Sequence, residues 1–182
     1  VFSDLGHFLA GHPHLYISIN LSATDFHSSR LIAMISDKAR HYAVRAQQIK
    51  IEVTERGFID VPKTTPVIQA FRQAGYEVAI DDFGTGYSSL SRLSRLAFDK
   101  IKIDKSFVNS LATQEDALNI IKLITGVAKS LNMKAIAEGV ETQEQLESLQ
   151  ALGCDFAQGY LFSKPQPYIA AEIKHGKQSI PT

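Results

Sequence analysis

Four carboxylates stand where apolar runs give way to polar residues: Glu52, the adjacent Asp81 and Asp82, and Glu138. Asn20, Lys102 and Gln158 hold the same station in three further runs. If the carboxylates meet, each like-charge pair at ~5 Å and an effective dielectric of ~20 costs about 3 kcal/mol. Such a site must protonate, open or bind cations. Oxygen donors with one amide carbonyl suit hard ions such as Mg²⁺ or Mn²⁺, and not zinc. Adjacent Asp81 and Asp82 suggest a pair of ions, because one carboxylate can bridge while its neighbour binds a single ion. Two ions about 3.5–4 Å apart serve in-line attack on a phosphodiester. In that chemistry Lys102 holds the attacking water or a phosphate oxygen, and Gln158 orients water.

The residues lie in six short apolar runs, which predict strands: 14–22, 49–55, 76–82, 99–104, 134–140 and 155–160. Between them the apolar residues take helical spacing, as in Leu31, Ile32, Ile35 and Ala39, or Val67, Ile68, Phe71 and Ala74. Pro62 can open a helix, Gly75 and Gly153 follow helical runs where a left-handed cap is wanted, and Thr142 with Gln145 fits a capping box. Alternation of strands and helices implies parallel strands with right-handed crossovers, in a doubly wound sheet or a barrel. Polar groups at the end of every strand favour the barrel, which brings all strand ends to one mouth. The fold class is therefore α/β, a TIM-like (β/α) barrel. It is incomplete, with about six of eight strand–helix units in a chain shorter than the usual ~250 residues. The segment 1–10 already reads as a helix, which puts the missing units upstream.

Strand alternation assigns faces. Lys50, Glu52 and Thr54 share one side of their strand, as do Lys102 with Asp104, and Tyr16 and Ser18 with Asn20. Charges facing a barrel interior need partners or ions, because an unpaired buried charge costs several kcal/mol. A single strand-end acid is more often a cap or a surface charge; six strands ending alike point to function. His12-Pro13-His14 reads as a solvated loop, and Cys154 as a small buried residue. Phe83, Phe107, Phe156 and Phe162 read as barrel packing, with Phe162 the candidate exception for stacking on a base.

The 182 residues, 45% hydrophobic and 21% charged, suit one soluble domain. Lys and Arg number 19, as do Asp and Glu, so nothing general attracts DNA or anionic lipid. One cysteine excludes an internal disulfide and a thiolate metal cage, and no apolar stretch approaches the ~18 residues of a membrane span. A cytoplasmic location is expected. Val1 is not an initiator Met, which suggests a domain cut from something longer.

Six motifs in order resemble the EAL-domain family of cyclic-di-GMP phosphodiesterases. They are Asn20-Leu21-Ser22, Glu52-Val53-Thr54-Glu55, the ten residues from Asp81-Asp82-Phe83-Gly84-Thr85-Gly86 to Leu90, Lys102-Ile103-Asp104-Lys105-Ser106-Phe107-Val108, Ala137-Glu138-Gly139-Val140-Glu141 and Gln158-Gly159-Tyr160 through Pro165. The resemblance implies a TIM-like barrel, typically with one antiparallel strand, that hydrolyses cyclic-di-GMP to linear pGpG with two Mg²⁺ or Mn²⁺ ions. By motif position, Asn20, Glu52, Asp81, Asp82 and Glu138 match the metal ligands, and Lys102 and Gln158 the residues around the nucleophilic water. Glu55 resembles the carboxylate anchoring the loop through which family members couple dimer contacts to the metals. Glu141 and Pro165 match positions near the substrate.

The Glu-Ala-Leu motif itself is absent from residues 1–182, which on this reading are the C-terminal three quarters of one EAL-type barrel domain. Its Glu is a metal ligand, so the chain alone is expected to bind metal poorly and to be impaired. A homodimer through the Gly84 to Arg95 region and upstream sensory or synthase domains in the parent are further implications, as is possible membrane tethering of that parent. The alternative reading is a catalytically inactive domain that binds cyclic-di-GMP or another protein.

Overall fold

The computed structural model describes residues 2–26, 28, 30–55, 60–85, 90–111 and 113–165. Its elements are α1 (Phe2–Gly11), β1 (Ile17–Leu21), α2 (Ala23–Phe26), α3 (Leu31–His41), β2 (Ile49–Thr54), α4 (Val61–Gln73) and β3 (Glu77–Phe83). They continue as α5 (Leu90–Leu93), β4 (Lys100–Ile103), α6 (Lys105–Asn109), α7 (Glu115–Ser130), β5 (Lys134–Glu138), α8 (Gln143–Ala151) and β6 (Phe156–Gln158). Each apolar run named above coincides with one strand, β3 running one residue past its run to Phe83. The described residues fall into two compact units, 2–81 with 90–100, and 82–85 with 101–165.

In the first unit β1, β2 and β3 run parallel, with Asn20 opposite Glu52, Lys50 opposite Glu77 and Thr54 opposite Asp81. Side chains alternate along a strand, so Ser18 and Asn20, Lys50, Glu52 and Thr54, and Glu77, Ala79 and Asp81 line one face. The other face carries Ile49, Ile51, Val53, Val78 and Ile80, which share full burial with Ile68 and Phe71 of α4. The Phe71 ring stacks on Phe26, centroids 5.9 Å apart. Helix α4 starts as expected near Pro62: the Asp60 carboxylate accepts the Lys63 N–H at 3.2 Å, and Pro62 sits in the first turn, where no N–H is required. It ends before Gly75 at φ 89°, a left-handed residue that costs glycine little.

At the N-terminal ends of these strands, Lys50 Nζ and Lys100 Nζ each lie 2.8 Å from Glu77 Oε2. The same two ammonium groups lie 5.4 and 5.8 Å from the centroid of the Tyr16 ring. Burial opposes ionisation of Glu77, but hydrogen bonds and charge from Lys100 and Lys50 outweigh it and hold the carboxyl below its usual range. Asp99 leads into β4 with its N–H donating to Val78 O and its Oδ2 accepting from Val78 N, both at 2.9 Å.

In the second unit β4, β5 and β6 are neighbours in that order, and β6 runs parallel to β5 with Gln158 opposite Glu138. The core holds Ile101, Ile103, Val108, Ile121, Ala135, Ala137 and Leu149, all fully buried. The expected capping box opens α8: Thr142 Oγ1 accepts the Gln145 N–H at 3.2 Å, and Gln145 Oε1 accepts the Thr142 N–H at 3.1 Å. Cys154 is buried as expected, and burial, with Asp155 nearby, pushes its thiol up to about 12. Phe83 is buried, whereas Phe156 and Phe162 are 36% and 38% exposed. The expectation that Phe156 fills a core is therefore corrected: it opens β6 on a half-open face. Among the described residues no helix is long and apolar enough to cross a membrane.

Candidate metal centre

Register places the first cluster. Asn20 on β1 lies directly beside Glu52 on β2, and Asp81 on β3 follows one pleat further on the same face. Both carboxylates reach the Asn20 amide, whose terminus lies 3.2 Å from Asp81 Oδ2 and 3.2 Å from Glu52 Oε2. With its nitrogen turned inward, the amide donates to both. With its oxygen turned inward, three oxygens face one point. Ligands at right angles around Mg²⁺, with bonds of about 2.0–2.1 Å, lie about 3 Å apart. The Asn20 spacings match that figure, and an all-oxygen donor set fits a hard divalent cation. Glu52 is buried, at 6% exposure.

The second unit holds the second cluster. Asp82 and Glu138 offer carboxylate oxygens within 4.8 Å of one another. Glu138 Oε1 also receives Lys102 Nζ at 2.8 Å, and Lys102 is 4% exposed. The β5–β6 register sets Gln158 beside Glu138. Asp81 and Asp82 are consecutive, so one peptide bond joins the two clusters. Asp82 departs from strand geometry, with φ 52°. A left-handed Asp is tolerated where most L residues are strained, and it breaks the strict side-to-side alternation of the strand. Thr85 Oγ1 closes the turn by donating to the Asp82 carbonyl at 2.9 Å.

Glu55 is buried just after β2, while Glu141 and Pro165 are exposed. Part of the region 84–95, residues 86–89, lies outside the described residues. Sequence reasoning missed three glycine contacts. A Cβ on Gly84 would meet Phe107 Cε2 at 2.8 Å, and one on Gly139 would meet Lys105 Cβ at 2.6 Å. One on Gly159 would collide with the backbone N and O of Val140. The signal was available, since each glycine follows Asp82, Glu138 or Gln158 by one or two positions.

The chain belongs to the EAL domain family, whose model matches residues 1–165. It is 44% identical over 167 residues to the probable cyclic di-GMP phosphodiesterase PdeB of Escherichia coli (strain K12), covering 92% of this chain and 32% of that protein. It is 37% identical over 165 residues to the cyclic di-GMP phosphodiesterase NbdA of Pseudomonas aeruginosa, covering 90% of this chain and 21% of the relative. The chain thus spans a third or less of these relatives' length.

Among solved structures, the phosphodiesterase PaMucR in its c-di-GMP complex matches with a TM-score of 0.85 at 34% identity, covering 92% of this chain and 70% of that one. A manganese and cyclic di-GMP complex of Klebsiella pneumoniae BlrP1 matches with a TM-score of 0.80 at 36% identity, covering 90% of this chain and 42% of the other. The expected α/β, TIM-like class, with six strand–helix units in this chain, is the fold found.

Proposed function

We propose that residues 1–182 are the C-terminal three quarters of an EAL-type barrel whose parent hydrolyses one phosphodiester of cyclic-di-GMP to linear pGpG. The observation that carries this reading is the pair of oxygen-rich clusters joined by the Asp81–Asp82 peptide bond. The names of the curated relatives, and the c-di-GMP complex of PaMucR, support it. Asn20, Glu52, Asp81, Asp82 and Glu138 would hold two Mg²⁺ or Mn²⁺ ions. Bound divalent ions polarise phosphoryl oxygen and lower the pKa of water, which makes a nucleophile available at neutral pH.

The chain's own residues supply position and charge. Lys102, nearly buried and anchored to Glu138, directs its other N–H groups at the attacking water or a phosphate oxygen. The Gln158 amide, beside Glu138, orients that water. Glu141 and Pro165 contact substrate, and Glu55 anchors the loop that begins at Asp82. The parent is cytoplasmic or tethered to a membrane, carries upstream sensory or synthase domains, and dimerises through the Gly84 to Arg95 region.

Incubating the protein with cyclic-di-GMP and Mg²⁺ or Mn²⁺, with chromatography of the products, tests the reading. Linear dinucleotide that disappears on chelation supports it. Nucleotide binding without product, from the chain and from its intact parent domain, rejects hydrolysis and favours an inactive receptor or interaction domain.

A further inference from the structure

Two residues of one short helix pack on two glycines so closely that neither glycine could carry a β-carbon. Helix α6 follows β4, so it begins within three residues of Lys102. Its start is fixed by Asp104, whose carboxylate accepts the Ser106 N–H at 2.9 Å. From there Phe107 presses its ring edge on Gly84, where an added Cβ would sit 2.8 Å from Cε2 and 3.1 Å from Cζ. Lys105 presses its Cβ and backbone on Gly139 in the same way. Gly84 stands two residues after Asp82, and Gly139 directly after Glu138. Both glycines are left-handed, at φ 99° and 70°, so neither backbone can be exchanged for an ordinary turn without strain.

We infer that α6 sets the separation of Asp82 and Glu138, with Phe107 as the positioning residue on the Asp82 side. The inference rests on the metal-binding reading proposed above. The Thr85 hydroxyl ties the left-handed turn by donating to the Asp82 carbonyl. The Phe107 ring supplies a further point of support, and Ile124 of α7 stands behind Gly84 at 3.5 Å from the same Cβ position. Removing the ring opens space under Gly84 and lets the turn that carries Asp82 relax. Lys102 Nζ and Glu138 Oε1, 2.8 Å apart, pair from β4 and β5 rather than from that turn, so the damage falls on cation affinity.

The test titrates the folded, intact parent domain with Mn²⁺ alone, followed by electron paramagnetic resonance or calorimetry. Phe107→Ala should raise the Mn²⁺ dissociation constant about tenfold, the scale seen when supporting residues behind metal ligands are removed. Phe107→Leu, which keeps most of the volume, should recover much of the loss. Leu146→Ala, in the core of α8, serves as the control for lost stability and should leave the dissociation constant unchanged. Wild-type Mn²⁺ affinity in folded Phe107→Ala, or equal loss in Leu146→Ala, overturns the inference alone. Absence of Mn²⁺ binding by the unsubstituted, intact parent domain overturns the functional reading, and the inference with it.

Discussion

Strands β2 and β3 carry charge at both ends, and the two ends are built on opposite plans. At the N-terminal end, Lys50 and Lys100 converge on Glu77 at 2.8 Å, with the Tyr16 ring lying near both ammonium groups. Two positive groups and one negative group satisfy one another there. Towards the C-terminal end, Glu52 one pleat and Asp81 two pleats further on flank the Asn20 amide, so two carboxylates face one neutral side chain. The first arrangement stabilises the fold; the second, on the reading proposed above, trades stability for a bound cation. Sites that accept such a cost are commonly functional ones.

The sharpest way to break this comparison is to neutralise the C-terminal cluster. Asp81→Asn in the intact parent domain should abolish Mn²⁺ binding at its cluster and lower any turnover of cyclic-di-GMP by roughly a thousandfold, as losing several kcal/mol of cation assistance implies. Its urea midpoint should hold or rise, because a like charge has gone. A lower midpoint in the substituted protein contradicts the assignment of that cluster to function.

Lys50→Met should do the reverse. With one ammonium gone from a half-exposed carboxylate, stability should fall by about 1–2 kcal/mol, read from urea unfolding. Mn²⁺ affinity should stay that of the unsubstituted protein; a large change would mean that the two ends are coupled.

A smaller effect comes from pH. Glu77 has its carboxyl held below the ordinary value of 4.5, so its share of stability is present above that value and is lost as pH falls through the lower, folded one. The acid limb of the unfolding curve should flatten in Glu77→Gln over that range. The least effect is expected at Cys154, where a thiol pushed up to about 12 should resist an aromatic disulfide reagent at mildly alkaline pH until the protein unfolds.

What the sequence made legible was local or periodic. The Thr142–Gln145 box and the Asp60–Pro62 start needed only neighbours in the chain, and strand alternation put Glu52 on the polar side without any knowledge of its partners. The Lys50–Glu77–Lys100 cluster was not legible, because three strand beginnings must be in register before it exists. Lys102 was read as a group for water or phosphate, and its ion pair with Glu138 depends on tertiary placement of β4 beside β5. Phe156 misled because an aromatic residue in a strand usually faces a core, and β6 leaves it more than a third exposed. Phe107 was read as packing, which it does; that it packs on the turn carrying Asp82 is a property of the fold alone.

Asp82 at φ 52° gives natural variation an asymmetric meaning. Asparagine visits the left-handed region as readily as aspartate, so a homologue with Asn in this place keeps the contour of the bend and forfeits only a negative charge. Glutamate keeps the charge and loses the contour. By the usual chemical measure the second exchange is the conservative one, yet here it alters backbone and reach together, and a family tree scored on side-chain similarity would rank the two the wrong way round.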